Sequence, residues 1–216
     1  DYFHCTSNNT IFGTQMKEFP TTNIPVVCDM SSDIFSRQLD FTKFDIIYAG
    51  AQKNMGPAGT TLVVIKEEIL GKNGREIPSM LDYAKHIKAE SMYNTPPVFP
   101  VYASLLTLQW LKKLGGIAAI EKINNAKAEL LYNEIDRNPL FRGAAVVEDR
   151  SNMNATFLLN NPEHAPIFDA MWKEAGISGL PGHRSVGGYR ASMYNAMPIE
   201  SVQVLVDVMQ ALEKAV

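Results

Sequence analysis

The sequence predicts an α/β domain built on a mainly parallel sheet, followed by a small α+β domain, and three observations carry that reading. Short apolar runs, each closed by an acidic or glycine residue, recur over the first 65 residues. Helical periodicity then fills 100–137 and is broken once, at Gly115-Gly116. Beyond it, strands and helices alternate over a length too short for a second large sheet.

The elements follow in order. Tyr2-Phe3-His4-Cys5 reads as a strand leading into a turn, and the runs 25–28 (ending in Asp29) and 44–49 (ending at Gly50) read as buried strands. The connection 31–43 holds at most a short helix. A third strand over 60–65 follows Gly56-Pro57-Ala58-Gly59, where two glycines and a fixed proline φ carry the chain round. The stretch 66–90 is polar and mixed, a loop with a short helix over 79–83. Tyr102, Leu105, Leu106, Leu108, Trp110 and Leu111 give a helix over 100–114 a broad apolar face, and Ile120, Ile123, Ala126, Leu130, Leu131 and Ile135 stripe a second over 117–137. The paired glycines between them set the expected division, a large domain over 1–116 and a small one over 117–216. Strands at 144–147, 154–159 and 189–194 and helices at 167–174 and 199–215 complete the small domain. Trp110, Trp172 and the methionines are expected in the core.

Composition narrows the function. With 216 residues, 46% hydrophobic and 20% charged, and with 14 glycines and 12 prolines, the chain is an ordinary globular protein. A net charge of −3 leaves no electrostatic footprint for nucleic acid or an anionic membrane surface, so a small molecule is the expected ligand. No apolar run approaches the roughly 20 residues of a membrane-spanning helix, the first residues lack the basic and apolar stretches of a signal peptide, and a cytoplasmic location is expected. Cys5 and Cys28 form no CxxC pair and read as reduced thiols, with no metal site expected. The N-x-[ST] sequons at Asn8 and Asn154 matter only in a secreted protein and are discounted.

Two residues point to chemistry. Lys53 follows the end of a buried strand within Ala49-Gly50-Ala51-Gln52-Lys53-Asn54-Met55-Gly56, where small neighbours leave room for a ligand and partial burial favours Schiff-base chemistry. The bland alternative is a surface lysine in a turn. Asp29, 24 residues earlier, ends the preceding strand, and in open α/β sheets ligands bind beyond the carboxyl ends of the strands. A helix or turn cap would explain that carboxylate as well. A cofactor that needs both a lysine imine and a carboxylate for a pyridinium nitrogen is pyridoxal phosphate. Thr95-Pro96-Pro97 before an apolar helix is a helix N-terminus signature that suits an anion or a plain cap. His183, Arg184 and Arg190, in a glycine-rich segment, are suited to carboxylates and phosphates or to a salt-bridged surface.

Taken together, Cys28-Asp29-Met30-Ser31-Ser32, Gln52-Lys53-Asn54-Met55-Gly56-Pro57-Ala58-Gly59, Tyr93-Asn94-Thr95-Pro96-Pro97 and Gly182-His183-Arg184-Ser185-Val186-Gly187-Gly188-Tyr189-Arg190 resemble the phosphoserine aminotransferases, in the class V aminotransferase group. The resemblance runs over nearly the whole chain. It implies a fold-type I, pyridoxal-phosphate-dependent homodimer that converts 3-phosphohydroxypyruvate and glutamate to O-phosphoserine and 2-oxoglutarate in serine biosynthesis, with phosphohydroxythreonine as a further candidate substrate. By the same resemblance Lys53 is the lysine that binds the cofactor and shuttles a proton, and Asp29 partners the pyridinium. Thr10 bonds the ring oxygen, although Asn9 stands where glutamate is familiar. Gln52 binds the cofactor phosphate, as do Asn94 and Thr95 reaching in from the neighbouring subunit. Arg190 holds the substrate α-carboxylate, and His183 with Arg184 the substrate phosphate. The alternatives are another class V enzyme, such as a serine–glyoxylate aminotransferase, or a folded module without activity; a cysteine desulfurase is disfavoured because neither cysteine lies in a glycine-rich loop. Family members carry a further N-terminal part before the strand at Tyr2, so the chain reads as the C-terminal part of such an enzyme, inactive by itself.

Overall fold

The computed structural model describes residues 1–72 and 74–216. The first sheet comprises β1 (Phe3–Thr6), β4 (Val26–Asp29), β5 (Ile46–Gly50) and β6 (Thr61–Ile65), in that spatial order. β1, β4 and β5 run parallel, while β6 returns antiparallel to β5. Alternation decides the faces. Cys5, Val26, Cys28, Ile47 and Ala49 turn to one side and join Met30, Ile34, Phe44 and Met55 in a first core. His4, Thr6, Val27, Asp29, Ile46 and Tyr48 share the other, more open face by register. Both cysteines are buried free thiols, and burial pushes each thiol above its ordinary range.

α1 (Tyr83–Lys88), α2 (Val98–Leu114) and α3 (Gly116–Arg137) follow, α2 and α3 parted at Gly115, whose φ of 111° only glycine adopts without strain. The second sheet, β7 (Phe141–Gly143), β8 (Asn154–Leu159) and β9 (Tyr189–Ser192), is antiparallel throughout. α3, α4 (Ala165–Glu174) and α5 (Ile199–Ala215) cover its inner face around Phe141, Phe157, Phe168 and Tyr189, whose rings meet mostly edge to face.

Three expectations need correction. The apolar run 144–147 is not a strand: β7 ends at Gly143, where the Arg150 guanidinium lies 2.6 Å from where a Cβ would sit, one further bond joins Ala144 N to Thr156 O, and Val146 and Val147 are exposed. Trp172 is buried as expected, but Trp110 is 40% exposed and shares with Tyr102, Leu105 and Leu106 an apolar face of α2 that is only partly covered. Met80, Met92 and Met197 are likewise exposed rather than packed.

Between the two cores lies a seam of buried polar side chains. The hairpin β2 (Asn8–Asn9) to β3 (Thr14–Gln15) crosses it. Asn8 Nδ2 donates to Ser32 Oγ at 2.8 Å on the first core and to Asn154 Oδ1 at 2.9 Å on the second, and Asn8 Oδ1 accepts from Ser151 Oγ. Both sequon asparagines are thus buried and bonded to each other. Gly13 lets the hairpin lie flat on β8, since a Cβ there would sit 2.5 Å from Thr156 Oγ1. Farther along the seam, Asn195 binds Asn54 and Phe35 of the first part and Asn124 of α3. Lys127, fully buried, donates from Nζ to the carbonyls of Met193, Tyr194 and Met197 at 2.9–3.1 Å.

Burial lowers the Lys127 amine from its ordinary 10.5 to about 8. The unfolded chain therefore binds more protons than the folded one between those values, and the contribution of Lys127 to stability rises with pH across that window. Lys127→Met takes the donor from the Met193 and Met197 carbonyls, Tyr194 O keeping the Met197 N–H, and is expected to cost about 2 kcal/mol or more at pH 7. Denaturant titrations of both proteins should show the gap widening from pH 8 toward 10.5; a constant or narrowing gap contradicts the assignment.

Candidate active site

The site is assembled at the carboxyl ends of β4 and β5. Asp29 ends β4, pairs with Tyr48 on β5, and is half-buried; its Oδ1 accepts from Ser31 N at 2.8 Å, the turn-capping role the sequence left open. Ser31 in turn accepts the Gly50 N–H on its Oγ at 3.1 Å, so the two strand ends are stitched together. After Gly50 the chain turns through Ala51, whose carbonyl accepts from Met55 N and Gly56 N at 3.0 and 2.9 Å. Ala51, Asn54 and Met55 are buried and hold this turn rigidly, leaving Gln52 exposed and Lys53 half-buried. Gly50 makes room for Gln52, whose Oε1 lies 2.5 Å from the place of an added Cβ.

Lys53 Nζ donates to Thr10 Oγ1 at 2.8 Å. Thr10 sits in the β2–β3 turn, where Asn9 Oδ1 accepts from the backbone N–H groups of Ile11 and Phe12, each at 3.1 Å. The asparagine at 9 therefore has a local reason to be there.

The same hairpin reaches the second sheet. Thr156 Oγ1 donates to Phe12 O at 2.9 Å, and Thr156 pairs directly with Arg190 on β9. Arg190 forms no ion pair among the described residues and its buried Nε lacks a partner; a cavity of about 340 Å³ lies beside it. Ahead of β9 the loop 182–188 folds back on itself, with Gly182 N bonded to Gly188 O at 2.8 Å and an added Cβ on Gly182 only 2.1 Å from Gly187 O. His183 Nδ1 accepts from Ser185 N at 3.2 Å, so the proton of the neutral ring is on Nε2, the outward nitrogen. Arg184 is exposed, with no ion-pair partner among the described residues. Among the described residues the guanidinium at 190 and the outward imidazole edge at 183 are donors without acceptors, which suits an anionic ligand.

Asn94 and Thr95 take no part in these bonds. Both are exposed ahead of α2, Asn94 Nδ2 donating only to Thr95 O at 3.3 Å, and the helix begins at Val98, so Thr95 does not cap it. The sequence reading also missed the polar groups that brace the site. Asp33 is the clearest: buried, it accepts from Ser7, Gln15 and Arg37, and burial outweighs these donors in pushing its carboxyl above the ordinary range. No spaced motif marks them, and Asn8 and Asn154 stand out only as sequons.

A lysine and a carboxylate stand at adjacent strand ends of an α/β sheet, and the hairpin that receives the lysine also bonds the ladder partner of Arg190 on the second small sheet, an arrangement suited to an enzyme. Residues 1–205 match the family model of the aminotransferase class-V proteins, and the chain belongs to that family. It is 86% identical, over its whole length, to the phosphoserine aminotransferase of Flavobacterium johnsoniae and 57% identical to that of Parabacteroides distasonis. It spans 61% of the length of each of these relatives. Among solved structures, the phosphoserine aminotransferase of Bacillus circulans subsp. alkalophilus superposes with a TM-score of 0.95 at 44% identity, over 99% of this chain and 60% of that one. A pyridoxal-phosphate-bound phosphoserine aminotransferase from Trichomonas vaginalis superposes at 0.90 and 37% identity, over 97% of this chain and 60% of that one. The mixed α/β fold is that of these enzymes.

Gly182→Ala cannot close the 182–188 loop. In hydrogen exchange it should speed exchange of the amide at 182 by about tenfold or more, with protection in β4 and β5 kept. Unchanged exchange at 182 would show that the loop does not need this glycine.

Proposed function

We propose that the protein transfers the amino group of glutamate to 3-phosphohydroxypyruvate, giving O-phosphoserine and 2-oxoglutarate, with pyridoxal phosphate as cofactor. The observation that carries this reading is the Lys53 amine, held 2.8 Å from Thr10 Oγ1 beside the strand end that bears Asp29. Lysine, threonine hydroxyl and carboxylate match in kind the imine carbon, ring oxygen and pyridinium nitrogen of that cofactor, and the kinship to enzymes of this name supports the choice. When bound, pyridoxal phosphate supplies an electron sink for negative charge at the substrate α-carbon.

The chain's own residues do the rest. Lys53, released from Thr10, carries the proton to and from the α-carbon. Asp29 would hold the protonated ring nitrogen of the bound cofactor, and Thr10 would bond its ring oxygen. Gln52 binds the cofactor phosphate. Arg190, with no ion-pair partner among the described residues, takes the substrate α-carboxylate, and His183 Nε2 with Arg184 takes the substrate phosphate, a double anion that accounts for three cationic or donor groups within eight residues.

A homodimer fits the surface of α2. Val98, Phe99, Tyr102, Leu105 and Leu106 are each at least 47% exposed on one helix, an apolar patch of the kind that marks protein contacts. Asn94 and Thr95, immediately before this patch, would then reach the neighbouring subunit's cofactor phosphate. A domain division at Gly115-Gly116, giving 1–116 and 117–216, is supported by the two cores, Cys5 to Met55 and Ala128 to Leu212, on either side of it. No helix among the described residues is long and apolar enough to cross a membrane; a cytoplasmic location is proposed from the family resemblance.

The test is a transamination assay with glutamate and 3-phosphohydroxypyruvate on a protein of the relatives' full length carrying these residues. Lys53→Ala should lower kcat by about 10³-fold or more. Arg184→Ala should raise KM for the phosphorylated keto acid by about tenfold, the worth of one charged hydrogen bond, and leave unphosphorylated keto acids unaffected. Equal turnover of phosphorylated and unphosphorylated acids by the unaltered protein would contradict the substrate.

A further inference from the structure

On the open face of the first sheet, away from the core, three polar side chains stand together on three strands: His4 on β1, Asp29 on β4 and Tyr48 on β5. Asp29 and Tyr48 are direct partners in the parallel ladder, where neighbouring strands lie about 4.8 Å apart. Tyr48 reaches back across β4, placing its hydroxyl 2.9 Å from His4 Nε2 with the two rings tilted by 30° at a centroid separation of 6.0 Å. Burial, followed by the negative charge of the neighbouring Asp29, pushes the phenol above its ordinary range.

Proton counting restricts how these groups connect. The Asp29 carboxylate only accepts, and Oδ1 already holds the Ser31 N–H. The phenol has one proton to give. If Tyr48 spends it on His4, the hydroxyl offers Asp29 nothing but lone pairs, which a carboxylate repels. If His4 Nε2 carries a proton and donates it to the Tyr48 oxygen, the phenol proton is free for Asp29, and each link of the chain joins a donor to an acceptor.

We propose that His4 and Tyr48 are positioning residues for Asp29, joined as a donor chain from His4 Nε2–H to the Tyr48 hydroxyl to the Asp29 carboxylate. This rests on the functional reading above, in which Asp29 meets the cofactor's ring nitrogen. With Ser31 N–H on one side and Tyr48 on the other, the carboxylate plane is set by two donors from different elements, the arrangement that fixes ligand-bearing groups in rigid sites.

The test uses a protein of the relatives' full length. Without cofactor, at pH 8, ¹⁵N shifts of the labelled histidines should show His4 protonated at Nε2 and bare at Nδ1. The reverse tautomer makes Tyr48 the donor to His4 and overturns the chain. Tyr48→Phe and His4→Leu should each weaken pyridoxal phosphate binding by about tenfold with an unchanged melting temperature, while His4→Gln, which keeps a donor at the Nε2 position, should bind within about twofold of the unaltered protein. Equal affinity in Tyr48→Phe overturns the proposal. A loss of affinity that only tracks melting temperature, with His4→Gln no better than His4→Leu, reduces the residues to a structural role and overturns it too. Failure of the unaltered protein to take up the cofactor overturns the functional reading, and this proposal with it.

Discussion

One buried amide ties this molecule together. The Asn8 side chain is 2% exposed, and all of its hydrogen-bonding groups are used: Nδ2 on Ser32 and Asn154, Oδ1 on Ser151, with the backbone carbonyl accepting from Ser32 as well. A buried amide left without partners costs about 1–3 kcal/mol per group, so Asn8 is stable only where a residue of each core is present at the right distance. The first and second cores are thereby held in one relative position. The rest of the seam repeats the device with other residues, Asn195 between Asn54 and Asn124, and Lys127 beneath the 193–197 segment.

That constraint is what gives the site its shape. Lys53 belongs to the first core and Arg190 to the second, and nothing in either core alone would set the distance between them. The β2–β3 hairpin does, because Thr10 at its turn receives Lys53 while Phe12, two residues on, receives Thr156, the ladder partner of Arg190. Polar rather than apolar contacts suit this task. An apolar interface tolerates sliding, whereas a buried amide such as Asn8, with both side-chain groups bonded, accepts one register.

The sequence showed the parts of this arrangement unevenly. Asp29 and Lys53 were legible because a charged residue at the end of an apolar strand has no packing reason to be there, and strand ends in α/β sheets are where ligands bind. Helices over 117–137 and 199–215 were legible because a regular stripe of apolar residues leaves few other folds. Where periodicity misled, the reason is physical. Trp110 and its neighbours on α2 look like core because they are apolar at helical spacing, but spacing cannot say whether the covering surface belongs to the same chain. Val146 and Val147 look like a strand but find no pairing strand among the described residues. The seam was invisible for a deeper reason: Asn8, Asp33 and Asn154 are polar residues far apart in sequence, and only the folded topology brings them into contact.

The central claim, that the two cores are registered by the amide pair across the hairpin, is tested most directly by a double-mutant cycle on Asn8→Ala and Asn154→Ala, read as unfolding free energy in denaturant. Residues that share a hydrogen-bond network show coupling of about 0.5–3 kcal/mol, and independent sites add to within about 0.5 kcal/mol. The account predicts coupling of about 1 kcal/mol or more. Additive losses would show that Asn8 and Asn154 are each buried for reasons of their own, and would contradict it.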